Sequence, residues 1–374
     1  MRCKFNKKFL STALTLSGTM IGAGILGLPY VFASAGFSVG LFWLFLLGIT
    51  VLLGFLYLGE VTLRTKENHQ LPGLAKLYLG PWGEKIMLIA VAFGIYSSLL
   101  AYLVGQGESL SILIFGVSGY GLYLGLAFGI FMSILLWGGL SQLRKVETYG
   151  VIAILVIVFG VVIYYFPQIS YSNFGGFSKV NFLLPIGAVL FALLGFTSIP
   201  ELRMEIRGSE KNLKWAITLG FLISFILYFL FAFVSVGVFG NSIYEIATLS
   251  FGPPMVILGI FTMLTSYFVL GFSLKDMYRY DFYRSKTTSY FWAAIFPLIL
   301  FVIVSLFGIG SFVEIISIGG IFSGGTVAIL SVVMNYSAKK NGKRKPEYSV
   351  PINLFIVILF CVIFISGMIA KFIF

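Results

Sequence analysis

The stretch Gly18-Thr19-Met20-Ile21-Gly22-Ala23-Gly24-Ile25-Leu26-Gly27-Leu28-Pro29-Tyr30 decides how this chain is read. Four glycines and one proline fall within residues 18–29, and no charged residue does. Glycine in a helix interior costs about 1 kcal/mol relative to alanine. Proline removes a main-chain donor and clashes with the preceding turn. The flanks, from Phe9 to about Gly36, are apolar enough for a helix, so a break inside an apolar segment is expected. Small residues also let helices approach closely. Close packing accounts for a lone G-x-x-x-G pair, but less well for a glycine cluster closed by proline. Residues 191–201, Phe191-Ala192-Leu193-Leu194-Gly195-Phe196-Thr197-Ser198-Ile199-Pro200-Glu201, have the same character more weakly.

The rest of the sequence identifies the medium around that break. Hydrophobic residues make up 59% of the 374 and charged residues 10%, where a soluble domain carries about a quarter charged. Mean hydropathy is +1.03. An ordinary cytosolic enzyme, a disordered chain and a secreted disulfide scaffold are excluded. The two cysteines, Cys3 and Cys361, lie at opposite ends and imply no disulfide framework. Eleven apolar segments lie at about 10–35, 38–63, 84–114, 121–140, 148–166, 181–201, 212–239, 251–274, 289–308, 312–335 and 351–373. Each is near the ~20 residues that cross a bilayer as a helix. The ten-residue alternation of a membrane β-barrel is absent. An all-α membrane protein with eleven transmembrane helices is expected. Residues 2–8 resemble the start of a signal peptide, but the apolar run behind them is too long for a cleaved one. It is read as the first span.

With the N-terminus placed in the cytoplasm, 23 Lys and Arg residues fall on the inner side and two, Lys179 and Lys371, on the outer. Positive residues mark cytoplasmic loops. The net charge of +12 is therefore an orientation signal, not a nucleic-acid footprint. The partner it implies is the lipid bilayer of the cell (inner or plasma) membrane. The N-terminus is expected inside and the C-terminus outside.

Segments one to five cover 10–166 and segments six to ten cover 181–335. Each half has an odd number of spans, so the halves have opposite topology. Interrupted helices at corresponding positions of inverted halves point to a transporter site. Unwound backbone frees N–H and C=O groups that lipid cannot satisfy. A half-helix N-terminus holds an anion such as a carboxylate, and freed carbonyls hold a cation. An amino acid zwitterion with a small cation fits such a site.

The first-span motif, Gly18 to Tyr30, resembles that of the aromatic and hydroxy amino acid permeases and the related amino acid/auxin permeases, both in the amino acid–polyamine–organocation superfamily. Ala101-Tyr102 followed by Gly105-Gln106-Gly107 looks like the third span, with Gln106 where a small residue is usual. Gly195 to Glu201 looks like the sixth. Thr265-Ser266 with Gly271, Leu274 and Asp276 looks like the eighth. The resemblance implies the leucine-transporter fold: two inverted five-helix repeats, 10–166 and 181–335, with helices one and six broken. Residues 351–373 add one helix, and 1–374 form a single transporter domain. It implies ion-coupled symport of amino acids by alternating access. Main-chain N–H groups of Gly22, Ala23 and Gly24 would hold the substrate carboxylate. Carbonyls near Thr19 and around Phe191–Leu194 would receive its ammonium. Tyr102 would line the pocket, and Phe196 and Thr197 would shape its side-chain end. The substrate expected is a neutral, aromatic-compatible L-amino acid.

No cofactor is expected beyond a coupling ion, sodium or a proton. Sodium prefers oxygen ligands. The resemblance places it on carbonyls of Gly18, Ile21 and Thr262 and hydroxyls of Thr265 and Ser266, although such hydroxyls commonly bond back to their own helix. For the proton, the fifth segment, 148–166, has no ionisable Lys, Arg, Asp, Glu or His. The candidate is Glu108 in the third span, since an intramembrane acid is a functional candidate by default. Glu60 and Arg64 are expected to pair near a cytoplasmic end. There is no C-x-x-C, H-E-x-x-H or G-x-x-x-x-G-K-[ST] motif, and with one histidine no zinc cluster is expected. The chain is read as no enzyme. The reading from another class is an amino acid sensor or receptor subunit of the same fold that binds without net transport.

Overall fold

The computed structural model describes residues 7–138, 144–280 and 284–373, so Arg2, Cys3 and Lys4 lie outside the described residues. Every regular element among the described residues is helical: α1 (Lys7–Met20), α2 (Gly24–Ala35), α3 (Phe37–Arg64), α4 (Leu71–Phe115), α5 (Gly121–Gly138), α6 (Arg144–Tyr165), α7 (Leu184–Ala192), α8 (Ile199–Glu205), α9 (Leu213–Phe239), α10 (Pro253–Tyr280), α11 (Lys286–Tyr290), α12 (Phe296–Phe307), α13 (Phe312–Gly319), α14 (Gly325–Asn341) and α15 (Leu354–Ile373). One π-helical turn, Phe291–Ile295, joins α11 to α12, and another, Gly320–Gly324, joins α13 to α14.

Each of the eleven apolar segments overlaps at least one described helix. Seven are long and apolar enough to cross a membrane, and the bent pair α1/α2 makes an eighth. Three more, Gly121–Trp137, Ile154–Gln168 and Leu354–Ile365, are apolar but shorter. The third segment differs from expectation at its start. The helix begins at Leu71, thirteen residues before the expected 84, and kinks at Gly80-Pro81. Gly80 there adopts φ +79, the left-handed region that favours glycine.

Both expected interruptions are present. α1 and α2 meet at Ile21–Ala23 with their axes bent by 57°. In the sixth segment, α7 ends at Ala192 and a 3₁₀ turn, Phe196–Ser198, precedes α8. The apolar halves α2 and α7 pack through glycine notches. A Cβ built on Gly24 would lie 2.4 Å from the Ala192 Cα. One on Gly187 would lie 2.6 Å from the Ser317 carbonyl oxygen, on α13. The glycines are therefore packing devices as well as helix breakers. α13 starts with a capping box, Ser311 with Glu314, and the Glu245 carboxylate accepts the Val313 N–H at 3.1 Å.

At the opposite end of the bundle, Glu60 on α3 is fully buried. It accepts from Arg64 at 2.8 Å, from Ser349 at 3.0 Å and from the Val350 N–H at 2.8 Å, and Lys339 lies 3.2 Å away. Tyr348 donates to the Leu56 carbonyl at 2.8 Å. The connection from α14 to α15 is thereby strapped onto α3.

Candidate functional site

A cavity lies where the two helix breaks face α4, α10 and the π-turn before α14. Thr19, Gly22, Ala23, Gly24, Tyr102, Phe191, Leu194, Phe196 and Thr197 all line it. The nine residues expected around an amino acid are thus gathered from four helices and two turns. Thr19 near the end of α1 and Thr197 in the 3₁₀ turn are exposed, whereas Gly24 on α2 is sealed against Ala192 on α7.

The backbone at the breaks supplies both signs of partial charge. The Gly22 N–H is committed to the Met20 carbonyl at 3.0 Å. The N–H groups of Ala23, Gly24 and Ile25, at the start of α2, have no acceptor among the described residues. Carboxylate capture at this half-helix N-terminus would therefore fall on Ala23 and Gly24 rather than Gly22. Of the carbonyls expected to meet an ammonium, Phe191 already accepts from Leu194 at 3.1 Å. Those of Thr19, Leu193 and Leu194 receive no hydrogen bond from described groups. The glycines divide by role. A Cβ on Gly22 would point at the Tyr102 hydroxyl, 3.0 Å away, and the Ser266 Oγ, 3.7 Å away, whereas Gly24 is sealed against Ala192.

Tyr228 on α9 is a residue the sequence reading missed. Its buried hydroxyl donates to the Met20 carbonyl at 2.6 Å and to the Ala192 carbonyl at 2.9 Å. These carbonyls end α1 and α7, so one hydroxyl joins both interrupted helices. Among 20 tyrosines, nothing in the residue pattern distinguishes this one. Gln106 is also structural here: its side-chain N–H donates to the Ile260 carbonyl at 2.6 Å, tying α4 to α10, while its buried Oε1 has no partner.

The sodium candidates are split. Carbonyls of Gly18 and Ile21 receive no hydrogen bond from described groups. The Thr262 carbonyl, in contrast, accepts from the Thr265 hydroxyl at 3.0 Å, and Thr265 also reaches Phe261 at 3.2 Å. Thr265 thus turns back onto its own helix. Ser266 makes no hydrogen bond among the described residues and sits beside Gly22. Glu108 is half-buried, six residues and so about 9 Å along α4 from Tyr102. It does not line the cavity. Among the described residues no group of three or more His, Cys, Asp or Glu side chains is placed to hold a metal.

The tryptophan/tyrosine permease family matches residues 5–253. The match contains both breaks and Tyr102 and stops before all but the first residue of α10. A tyrosine-specific transport system of Haemophilus influenzae is 31% identical over 231 residues, 60% of this chain and 56% of that relative. A low affinity tryptophan permease of Escherichia coli K12 is 27% identical over 238 residues, 60% of this chain and 57% of its own length. A glutamine transporter of Aliivibrio fischeri is 24% identical over 323 residues, covering 79% and 81%. The chain therefore spans little more than half the length of the tyrosine and tryptophan relatives.

Proposed function

The chain belongs to the tryptophan/tyrosine permease family, and from that premise we propose that it is a secondary active transporter of neutral aromatic L-amino acids working by alternating access. The family is one of permeases for amino acids in a membrane, not of enzymes. The observation that carries the finer reading is the cavity at the two helix breaks. It offers uncommitted N–H groups of Ala23 and Gly24, uncommitted carbonyls of Thr19, Leu193 and Leu194, and an apolar remainder. That combination matches a carboxylate, an ammonium and an aromatic side chain.

The same reading takes the three shorter apolar helices as spans, which gives eleven. It takes α1–α6 and α7–α14 as inverted five-span repeats of the leucine-transporter fold, α15 as the added helix, and 1–374 as one domain. The N-terminus lies in the cytoplasm and the C-terminus outside the cell membrane. The coupling ion is sodium, held by the Gly18 and Ile21 carbonyls and the Ser266 hydroxyl, with Thr262 and Thr265 completing the shell once Thr265 turns. Substrate and ion share the broken first helix, so each raises the other's affinity.

Uptake of labelled tyrosine and tryptophan into proteoliposomes tests this, first under a sodium gradient and then under a proton gradient. Accumulation driven by sodium, reduced by Ser266→Ala, is expected. Accumulation driven by protons alone, and abolished by Glu108→Gln, would move the coupling to Glu108. Binding with no accumulation under either gradient would replace the carrier with a sensor.

A further inference from the structure

The lining of the cavity holds one polar group with no assigned task. Ser323 is 5% exposed and sits in the π-turn Gly320–Gly324. π-turns insert an extra residue and re-aim side chains, often at functional sites. This one lies flat on α7: a Cβ on Gly320 would be 2.1 Å from the Gly187 carbonyl oxygen. Serines in helices usually discharge their hydroxyl onto a carbonyl, and neighbours of Ser323 do. Ser97 donates to Ile315 at 2.7 Å, Ser98 to Gly94 at 2.8 Å and Ser331 to Val327 at 2.7 Å. Ser323 makes no hydrogen bond among the described residues, yet it lines the cavity. Across from it, α4 carries Gly94, where a Cβ would lie 2.3 Å from the Ser323 Oγ. The glycine leaves the room that the hydroxyl needs. Around the pair the lining is mostly apolar, with Val91, Ile95, Leu270 and Val327, and the one nearby hydroxyl on α4, Ser98, is committed to the Gly94 carbonyl.

We propose that Ser323 reads the tip of the substrate side chain, hydrogen-bonding the phenol of tyrosine and so ranking tyrosine above phenylalanine. This rests on the aromatic amino acid reading above. A largely apolar wall with a buried, unpartnered hydroxyl matches a side chain that is apolar except for one polar atom. A serine hydroxyl donates and accepts, as a phenol does. A site built to bond a substrate hydroxyl disfavours the analogue lacking it, because the site's own polar group is then left unpaired.

The test is competition by tyrosine and by phenylalanine against labelled tyrosine, for both binding and uptake. The wild type is expected to prefer tyrosine by about tenfold, the value of one well-made hydrogen bond with its unpaired alternative. Ser323→Ala should bring the ratio to about one by weakening tyrosine alone, with phenylalanine within about twofold of wild type. Ser323→Thr, which keeps the hydroxyl, should retain the preference. Gly94→Ala should lose it by crowding the Oγ. A Ser323→Ala protein that weakens both substrates equally, or leaves the ratio unchanged, overturns the assignment. A wild type that carries tryptophan but does not bind tyrosine overturns it too, while leaving the carrier intact. A wild type that binds no aromatic amino acid refutes the carrier reading itself, and is distinguishable because the unmutated protein fails.

Discussion

Tyr228→Phe is the most informative single change, because one hydroxyl stands between two helix ends. The phenol offers one hydrogen to two carbonyls, Met20 at 2.6 Å and Ala192 at 2.9 Å. The Met20 carbonyl keeps a second donor, the Gly22 N–H at 3.0 Å. The Ala192 carbonyl has none besides Tyr228, so the variant leaves one buried acceptor unsatisfied. Such a group costs about 1–3 kcal/mol. The Phe ring fills nearly the same volume, so no cavity adds to this. If substrate binds only when the ends of α1 and α7 are held in register, the loss subtracts from affinity. A fall of roughly 5–150-fold in tyrosine or tryptophan binding is expected, at about 1.4 kcal/mol per tenfold. The assay is equilibrium binding of labelled substrate to the purified protein, with thermal unfolding alongside. Tyr267→Phe is the control, since its hydroxyl is buried with no partner. Removing that group should leave binding unchanged and thermal stability equal or slightly higher. Binding by Tyr228→Phe within twofold of wild type, with unchanged unfolding temperature, would refute the claim that this hydroxyl couples the two breaks.

Three further outcomes follow from the same geometry. Gly22→Ala should fold normally but lose substrate affinity, because its methyl would face the Tyr102 hydroxyl at 3.0 Å, while Gly24→Ala should give little folded protein, because its methyl would sit 2.4 Å from the Ala192 Cα; size-exclusion profiles and binding of the two variants separate them. Glu60→Gln should destabilise the protein by roughly 2–3 kcal/mol, below the full value of a broken buried pair because Arg64 and Lys339 are partly exposed; the check is a lower unfolding temperature with faster cleavage at Lys343–Lys345 by trypsin. Burial and the Glu60 carboxylate push the Tyr348 phenol well above its ordinary value. A raised folded value means that its contribution is present below about pH 10 and is lost as pH rises through the folded one. Tyr348→Phe should therefore flatten the alkaline fall in stability, and an unchanged slope would show that another group causes it.

The two helix breaks are legible in the sequence because they are made of residues whose backbone chemistry is unambiguous. Clustered glycines weaken a helix and proline removes a main-chain donor, so Gly18–Pro29 and Gly195–Pro200 announce themselves, although Gly24, Gly27 and Pro29 lie inside α2 and the break itself falls at Ile21–Ala23. The residues flanking the breaks must then line whatever cavity forms, as Thr19, Phe196 and Thr197 do, whereas Tyr102, on α4 and flanking neither break, is legible only through the family resemblance. What the pattern leaves open is set by single hydroxyls. Thr265 and Ser266 are adjacent and chemically alike, yet one bonds back at 3.0 Å to Thr262 and the other stands free beside Gly22. Adjacent helical residues point about 100° apart, so only the packing of α10 decides which of them meets α1. Tyr228 and Ser323 are less legible still. Each lies in a long apolar run, and each matters because it reaches, or fails to reach, a carbonyl supplied by tertiary contact. Hydroxyl direction carries no periodic signature, and in a cavity made mostly of hydrocarbon it is the hydroxyls, few and individually placed, that can rank one aromatic amino acid above another.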